Sequence, residues 1–190
     1  MQLSRQQGLS MVEVLVALAL SGFALLALGS ASATAVRYTK MAQYRATAMQ
    51  LATDIGERLR ANKGSPAQDG SPATGFLAGD YDFLSDFASQ AAGADLPAQL
   101  CNTPTSNCTP AQIAALDLAL WRRLVREQLP QGSVYLQSQS VVPAADLWLV
   151  WRDPAVAATD EAPALAQECP PGLGRGQDSS LRCSYFRINL

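Results

Sequence analysis

From Val14 to Val36 no side chain carries a formal charge, and the run opens directly after an acid, Glu13. At ~1.5 Å rise per residue, a helix over that run is roughly 35 Å long, enough to cross a hydrocarbon layer of ~30 Å. A secretory signal has a shorter apolar stretch followed by a small-residue cleavage pattern. Ala31-Ser32-Ala33 imitates that pattern, but the preceding run is long for a signal and Glu13 would lie inside it. An ionisable group in a membrane segment is costly and marks function by default. Glu13 sits at one end of the span, where the cost is lower. From the span alone, a functional acid and an anchor carboxylate reaching toward headgroups are equally good readings.

Composition narrows the rest. The chain of 190 residues has room for one domain plus an anchor. A net charge of −2 gives no electrostatic reason for a nucleic-acid partner. There is no histidine, which removes Ser-His-Asp and Cys-His catalysis and any His-ligated metal. No nucleophile–base constellation stands out, so no catalytic residue, metal or cofactor is expected. Gly172-Leu173-Gly174-Arg175-Gly176 matches neither a P-loop nor a dinucleotide fingerprint and reads as loop. Asp80, Asp82 and Asp86 are acidic neighbours, but they lack the glycine and closing glutamate of a calcium loop and read as solvated surface.

Cys101, Cys108, Cys169 and Cys183 form no CxxC pair. An even count in loop-like sequence fits disulfides formed outside the cytosol. Three pairings are possible; Cys101–Cys108 and Cys169–Cys183 are favoured because each closes a short loop.

Beyond the apolar run, Val36, Met41, Tyr44, Ala48, Leu51, Ile55 and Leu59 recur at helical spacing. The helix is therefore expected to continue to about Arg60, roughly 78 Å from Leu9. Gly22 and Gly29 weaken it locally, and a break near Gly29-Ser30 is the alternative. Residues 62–79 read as loop, and Asp80 to Gln90 as a short helix around Phe83, Leu84 and Phe87. Thr109-Pro110-Ala111-Gln112 has the form of a helix start. Ile113, Leu116, Leu120 and Leu124 give that helix one apolar face, widened by Trp121, Val125 and Leu129. Pro130 and Gly132 end it. Strands are expected at Ser133 to Val141, Asp146 to Arg152 and Arg182 to Leu190. The fold class is α+β: a long N-terminal helix packed on a C-terminal antiparallel sheet. The aromatic residues read as core.

Gly8-Leu9-Ser10-Met11-Val12-Glu13 resembles the cleavage and methylation motif of type IV pilins and type II secretion pseudopilins. The resemblance implies cleavage by a prepilin peptidase between Gly8 and Leu9, N-methylation of Leu9, and a register role for Glu13. It implies a leader at 1–8, a transmembrane and assembly helix at 9–36, and a periplasmic domain at 37–190. Helical positions one and five share a face, so Glu13 can meet the amine of a residue-one terminus on a neighbouring subunit. Arg5 faces Arg37, Lys40 and Arg45 across the span, a balance that does not itself favour a cytoplasmic N-terminus; the leader motif and the cysteines do.

Two further stretches resemble the PilV family of minor pilins: Tyr44 to Asn62, ending in Arg60-Ala61-Asn62, and Asp117 to Gly132, followed by strands and Trp151-Arg152-Asp153. That resemblance implies a minor pilin priming type IV pilus assembly, hence twitching motility, near the filament tip. It implies anchoring in the inner-membrane bilayer and then placement in the filament at the cell surface. The implied partners are the prepilin peptidase, other minor pilins, the major pilin and the inner-membrane assembly platform. The alternatives are a type II secretion pseudopilin and a membrane-anchored periplasmic ligand-binding protein.

Overall fold

The computed structural model describes residues 10–103, 105–139, 142–154, 156, 168–174 and 178–190. It divides into two units, Met1–Ala42 and Gln43–Leu190. One continuous helix, α1 (Met11–Ala61), begins in the first and ends in the second. No break occurs at Gly29-Ser30.

Within the first unit, every described residue from 10 to 40 is exposed, including Leu15, Phe23 and Leu26. The hydroxyls of Ser21, Ser30 and Thr34 in this apolar stretch are satisfied within the helix. Ser21 Oγ donates to the Ala17 carbonyl at 2.7 Å, Ser30 to Ala27 at 2.8 Å and Thr34 to Ser30 at 3.0 Å. Such back-bonding makes them tolerable in a medium that offers no other partner. Among the described residues, α1 is the one helix long and apolar enough to cross a membrane.

The second unit is built on the remainder of α1, a second helix α2 (Pro110–Gln128), and three strands, β1 (Ser133–Ser138), β2 (Ala144–Arg152) and β3 (Leu181–Asn189). The sheet is antiparallel in the order β1-β2-β3. Ala48, Leu51, Ile55 and Leu59 of α1 share one core with Trp121 and Val125 of α2 and Leu136, Leu147, Leu149 and Trp151 of the sheet. The fold is thus α+β, consistent with the pilin architecture.

The loop after α1 closes back on the helix end. Phe76 N–H donates to Asn62 O at 3.0 Å and Leu77 N–H to Lys63 O at 3.1 Å. Gly64 and Gly75 both have positive φ and approach so closely that a Cβ on either would overlap backbone. Phe76 is thereby buried.

The start of α2 is a complete capping box: Gln112 N–H donates to Thr109 Oγ1 at 3.3 Å and Thr109 N–H to Gln112 Oε1 at 2.9 Å. Thr109→Ala is expected to cost about 1 kcal/mol in chemical denaturation, and a Thr109→Ser variant to restore most of it.

Two features differ from the sequence expectation. α2 buries Ala114, Leu116, Leu118, Ala119, Trp121 and Val125, so the expected Leu116, Trp121 and Val125 are inside, whereas Ile113 and Leu120 are exposed at 36% and 41%. Trp121 sets that rotation, because its indole N–H reaches the Leu51 carbonyl of α1 at 3.0 Å. Asp80 to Gln90 does not form a helix. A 3-10 turn occurs at Gly75–Ala78, and another at Ala88–Gln90. Between them Phe83 pairs with Leu136 of β1 as an isolated bridge. A backbone group that supplies a strand edge is unavailable to a helix. Of the expected strand Ser133 to Val141, β1 covers Ser133–Ser138, and Ser140 and Val141 lie outside the described residues.

Candidate functional site

At the start of α1, Ser10 and Glu13 are reciprocal neighbours. Glu13 N–H donates to the Ser10 carbonyl at 3.0 Å, and Ser10 N–H donates to Glu13 Oε2 over a long 3.4 Å. Serine followed three residues later by glutamate is the sequence form of a capping box, and the bond from Ser10 N–H to the Glu13 carboxylate supplies one half of it. The carboxylate also lies in the first turn, where the helix dipole favours negative charge. Glu13 is exposed. Gly8 and Leu9 lie outside the described residues.

A second cluster joins the far end of α1 to α2. Arg58 bonds Asp54 at 3.2 Å and Asp117 at 3.1 Å. Tyr81 O–H donates to the other Asp117 oxygen at 2.8 Å, and Asn62 Nδ2 donates to Tyr81 Oη at 3.2 Å and to Pro110 O at 2.7 Å. Burial pushes the Tyr81 phenol well above its ordinary pKa against the opposing bond from Asn62, and the Asp117 carboxylate adds to the rise. The phenol stays a donor throughout the physiological range. This cluster is a tie between helices, its groups bonding one another.

The acidic stretch is occupied structurally. Asp82 accepts from Ser138 N–H at 2.6 Å and from Ser138 Oγ at 3.0 Å, holding the loop to β1. Asp86 accepts from Ser89 N–H at 2.9 Å, and that backbone bond holds its carboxyl below the usual carboxylate range. Among the described residues no group of three or more acidic, His or Cys side chains is placed to hold a metal.

Cys101 is bonded to Cys108 and Cys169 to Cys183, with Cα separations of 6.0 and 5.2 Å. The first closes an exposed loop before α2. The second ties the segment carrying Leu173 to β3, where Leu173, Val150 and Cys183 form a small core on the sheet face opposite the main one.

Residues 3–29 match the family model of the prokaryotic N-terminal methylation motif. No curated protein and no solved structure gives a significant match. The motif places a type IV pilin-like prepilin segment at the head of the chain.

Proposed function

We propose that this chain is a minor pilin of a type IV pilus, serving by assembly and not by catalysis. A prepilin peptidase cuts between Gly8 and Leu9, and Leu9 becomes the N-methylated terminus. Residues 9–36 anchor the subunit in the inner membrane and later pack in the filament, while residues 37–190 form the periplasmic domain. Glu13 pairs with the terminal amine of a neighbouring subunit and sets axial register. Other minor pilins, the major pilin and the assembly platform are its partners.

The observation that carries this reading is the methylation motif at residues 3–29, which runs into a helix whose apolar residues from 11 to 36 are exposed. Such a surface needs lipid or neighbouring helices. The two stretches that resemble PilV support the finer assignment: Arg58 and Asn62 from the first engage Asp117 and the start of α2, so they act as one structural unit.

Paired substitutions at Glu13 test the register role. Glutamine keeps the capping acceptor but removes the charge, whereas valine removes both. Breaking a buried ion pair from one side costs about 3–5 kcal/mol. Both E13Q and E13V are expected to enter the membrane and be cleaved normally, yet to lose incorporation by more than about tenfold. Normal incorporation of E13Q with failure of E13V would reduce Glu13 to a helix cap. Deleting the chain separates pilus from pseudopilus: piliation fails in the first case and type II secretion in the second.

A further inference from the structure

The two faces of the sheet carry different residues. Leu136, Leu147, Leu149, Phe186 and Ile188 belong to the main core. An antiparallel sheet with a second, wet face normally gives that face to polar side chains. Here the second face carries three aromatic rings in one row. Tyr135, Trp148 and Tyr185 are cross-strand partners on β1, β2 and β3, so their side chains share a face. Tyr135 and Trp148 meet edge to face, with centroids 5.8 Å apart and planes at 80°. Trp148 and Tyr185 lie 5.0 Å apart at 44°. Trp148 is half-buried, and Tyr185 is 49% exposed.

The row is bounded on both sides. On one side Tyr135, Trp148 and Cys169 pack against the small core of Val150, Leu173 and Cys183. Gly172 there lies so close to Tyr135 that a Cβ would meet the phenol oxygen at 2.6 Å. On the other side runs a polar row, Gln137, Asp146 and Arg187, again opposite one another in the register. Asp146 accepts from the Tyr185 hydroxyl at 2.7 Å and from Gln139 Nε2. The bond to Asp146 raises the Tyr185 phenol above its ordinary pKa, and Arg187 opposes the rise. The most exposed ring of the row is thus tethered between an acid and a base.

Three properties of this face select its occupant. The rings offer apolar surface for stacking. Asp146 and Arg187 stand opposite one another, so the polar row carries no net charge and favours a neutral ligand. Asp146 offers acceptor oxygens, whereas the indole N–H of Trp148 meets no acceptor among the described residues. The ligand must therefore both donate and accept. A pyranose has all three properties: C–H groups on its faces, no charge, and a rim of hydroxyls that donate and accept alike. A proline-rich segment supplies apolar rings but has no N–H at proline to give to Asp146.

We propose that the Tyr135–Trp148–Tyr185 row is a binding platform for a neutral oligosaccharide. A sugar ring would stack at the Trp148–Tyr185 end, with its hydroxyls toward Asp146, Gln137 and Arg187. Tyr135, held beneath Gly172, would back Trp148. The platform stands on the sheet alone and goes beyond the assembly reading above.

Isothermal titration of the full chain in a zwitterionic detergent tests this, with cellohexaose, maltohexaose and N-acetylchitohexaose as neutral probes. At least one is expected to bind and to shift the fluorescence of Trp148, since Trp121 and Trp151 are buried. For that sugar, W148A and Y185A are each expected to weaken binding about tenfold. W148F, which keeps a ring, is expected to retain most of it. Circular dichroism checks that each variant folds, and Y185A, whose ring is exposed, decides alone if W148A does not. The proposal is overturned if none of the three sugars binds, or if binding survives the alanine variants unchanged. It is also overturned if decaproline binds more tightly than the sugars, the sign of a peptide groove. Tighter binding of oligogalacturonate or chitosan oligomers would overturn it too, as the mark of a site that reads charge.

Discussion

Trp121→Ala is expected to lower the stability of the Gln43–Leu190 unit by about 3–5 kcal/mol, the range for truncating a fully buried large aromatic. Trp121 is 0% exposed. It meets the α1 and sheet residues of the main core and fixes the rotation of α2 through its bond to Leu51 O. Its removal leaves a void between α1 and α2 and releases one of the ties that hold the buried face, beside the bonds of Asp117 to Arg58 and Tyr81. Leu120 lies one residue away at 41% exposure, and its replacement by alanine should cost less than about 1 kcal/mol. Urea denaturation followed by circular dichroism checks both. Comparable losses at the two positions would mean that α2 buries the face centred on Leu120.

Replacing Cys169 and Cys183 together by serine is expected to cost about 3 kcal/mol, and the Cys101/Cys108 pair about 2. The difference follows from the residues each bond spans, 14 against 7, since a longer loop loses more freedom when closed in the unfolded chain. Position widens the gap. The Cys169–Cys183 bond holds Leu173 in its small core, and Leu173 O in turn accepts from Phe87 N–H at 2.8 Å. The other bond closes a surface loop. Thermal denaturation of the two double variants, compared with the parent, gives the order; a larger loss at Cys101/Cys108 would contradict it.

Local patterns in the sequence carry much of this fold. The charge-free run and the stripe that follows give α1, since both depend only on residue spacing along one helix. Thr109, Pro110 and Gln112 locate the start of α2 because a cap is set by a few adjacent residues. Alternation in Leu147, Leu149 and Trp151 marks β2. What the sequence leaves hidden depends on distant partners. The face of α2 depends on distant partners, Leu51 for Trp121 and Arg58 and Tyr81 for Asp117, and apolar residues on both flanks make the spacing ambiguous. Asp80 to Gln90 contains enough apolar residues to read as helix, yet Phe83 and Gln90 spend their hydrogen-bonding groups on the outer edge of β1. At the N-terminus, the S-x-x-E spacing lets the Glu13 carboxylate accept from Ser10 N–H within the segment that matches the methylation motif. The tie formed by Asn62, Tyr81 and Asp117 has no local signature, because its members lie far apart in the chain.

The claim on which the rest turns is that Leu9 becomes a new, methylated terminus a helical turn before Glu13. Intact-mass and N-terminal peptide mass spectrometry of the protein from a host with a prepilin peptidase reads this directly. The expected product begins at Leu9 and carries one methyl group on its amine. A mature chain that retains Met1, or one that begins after Ala33, would contradict the assembly role.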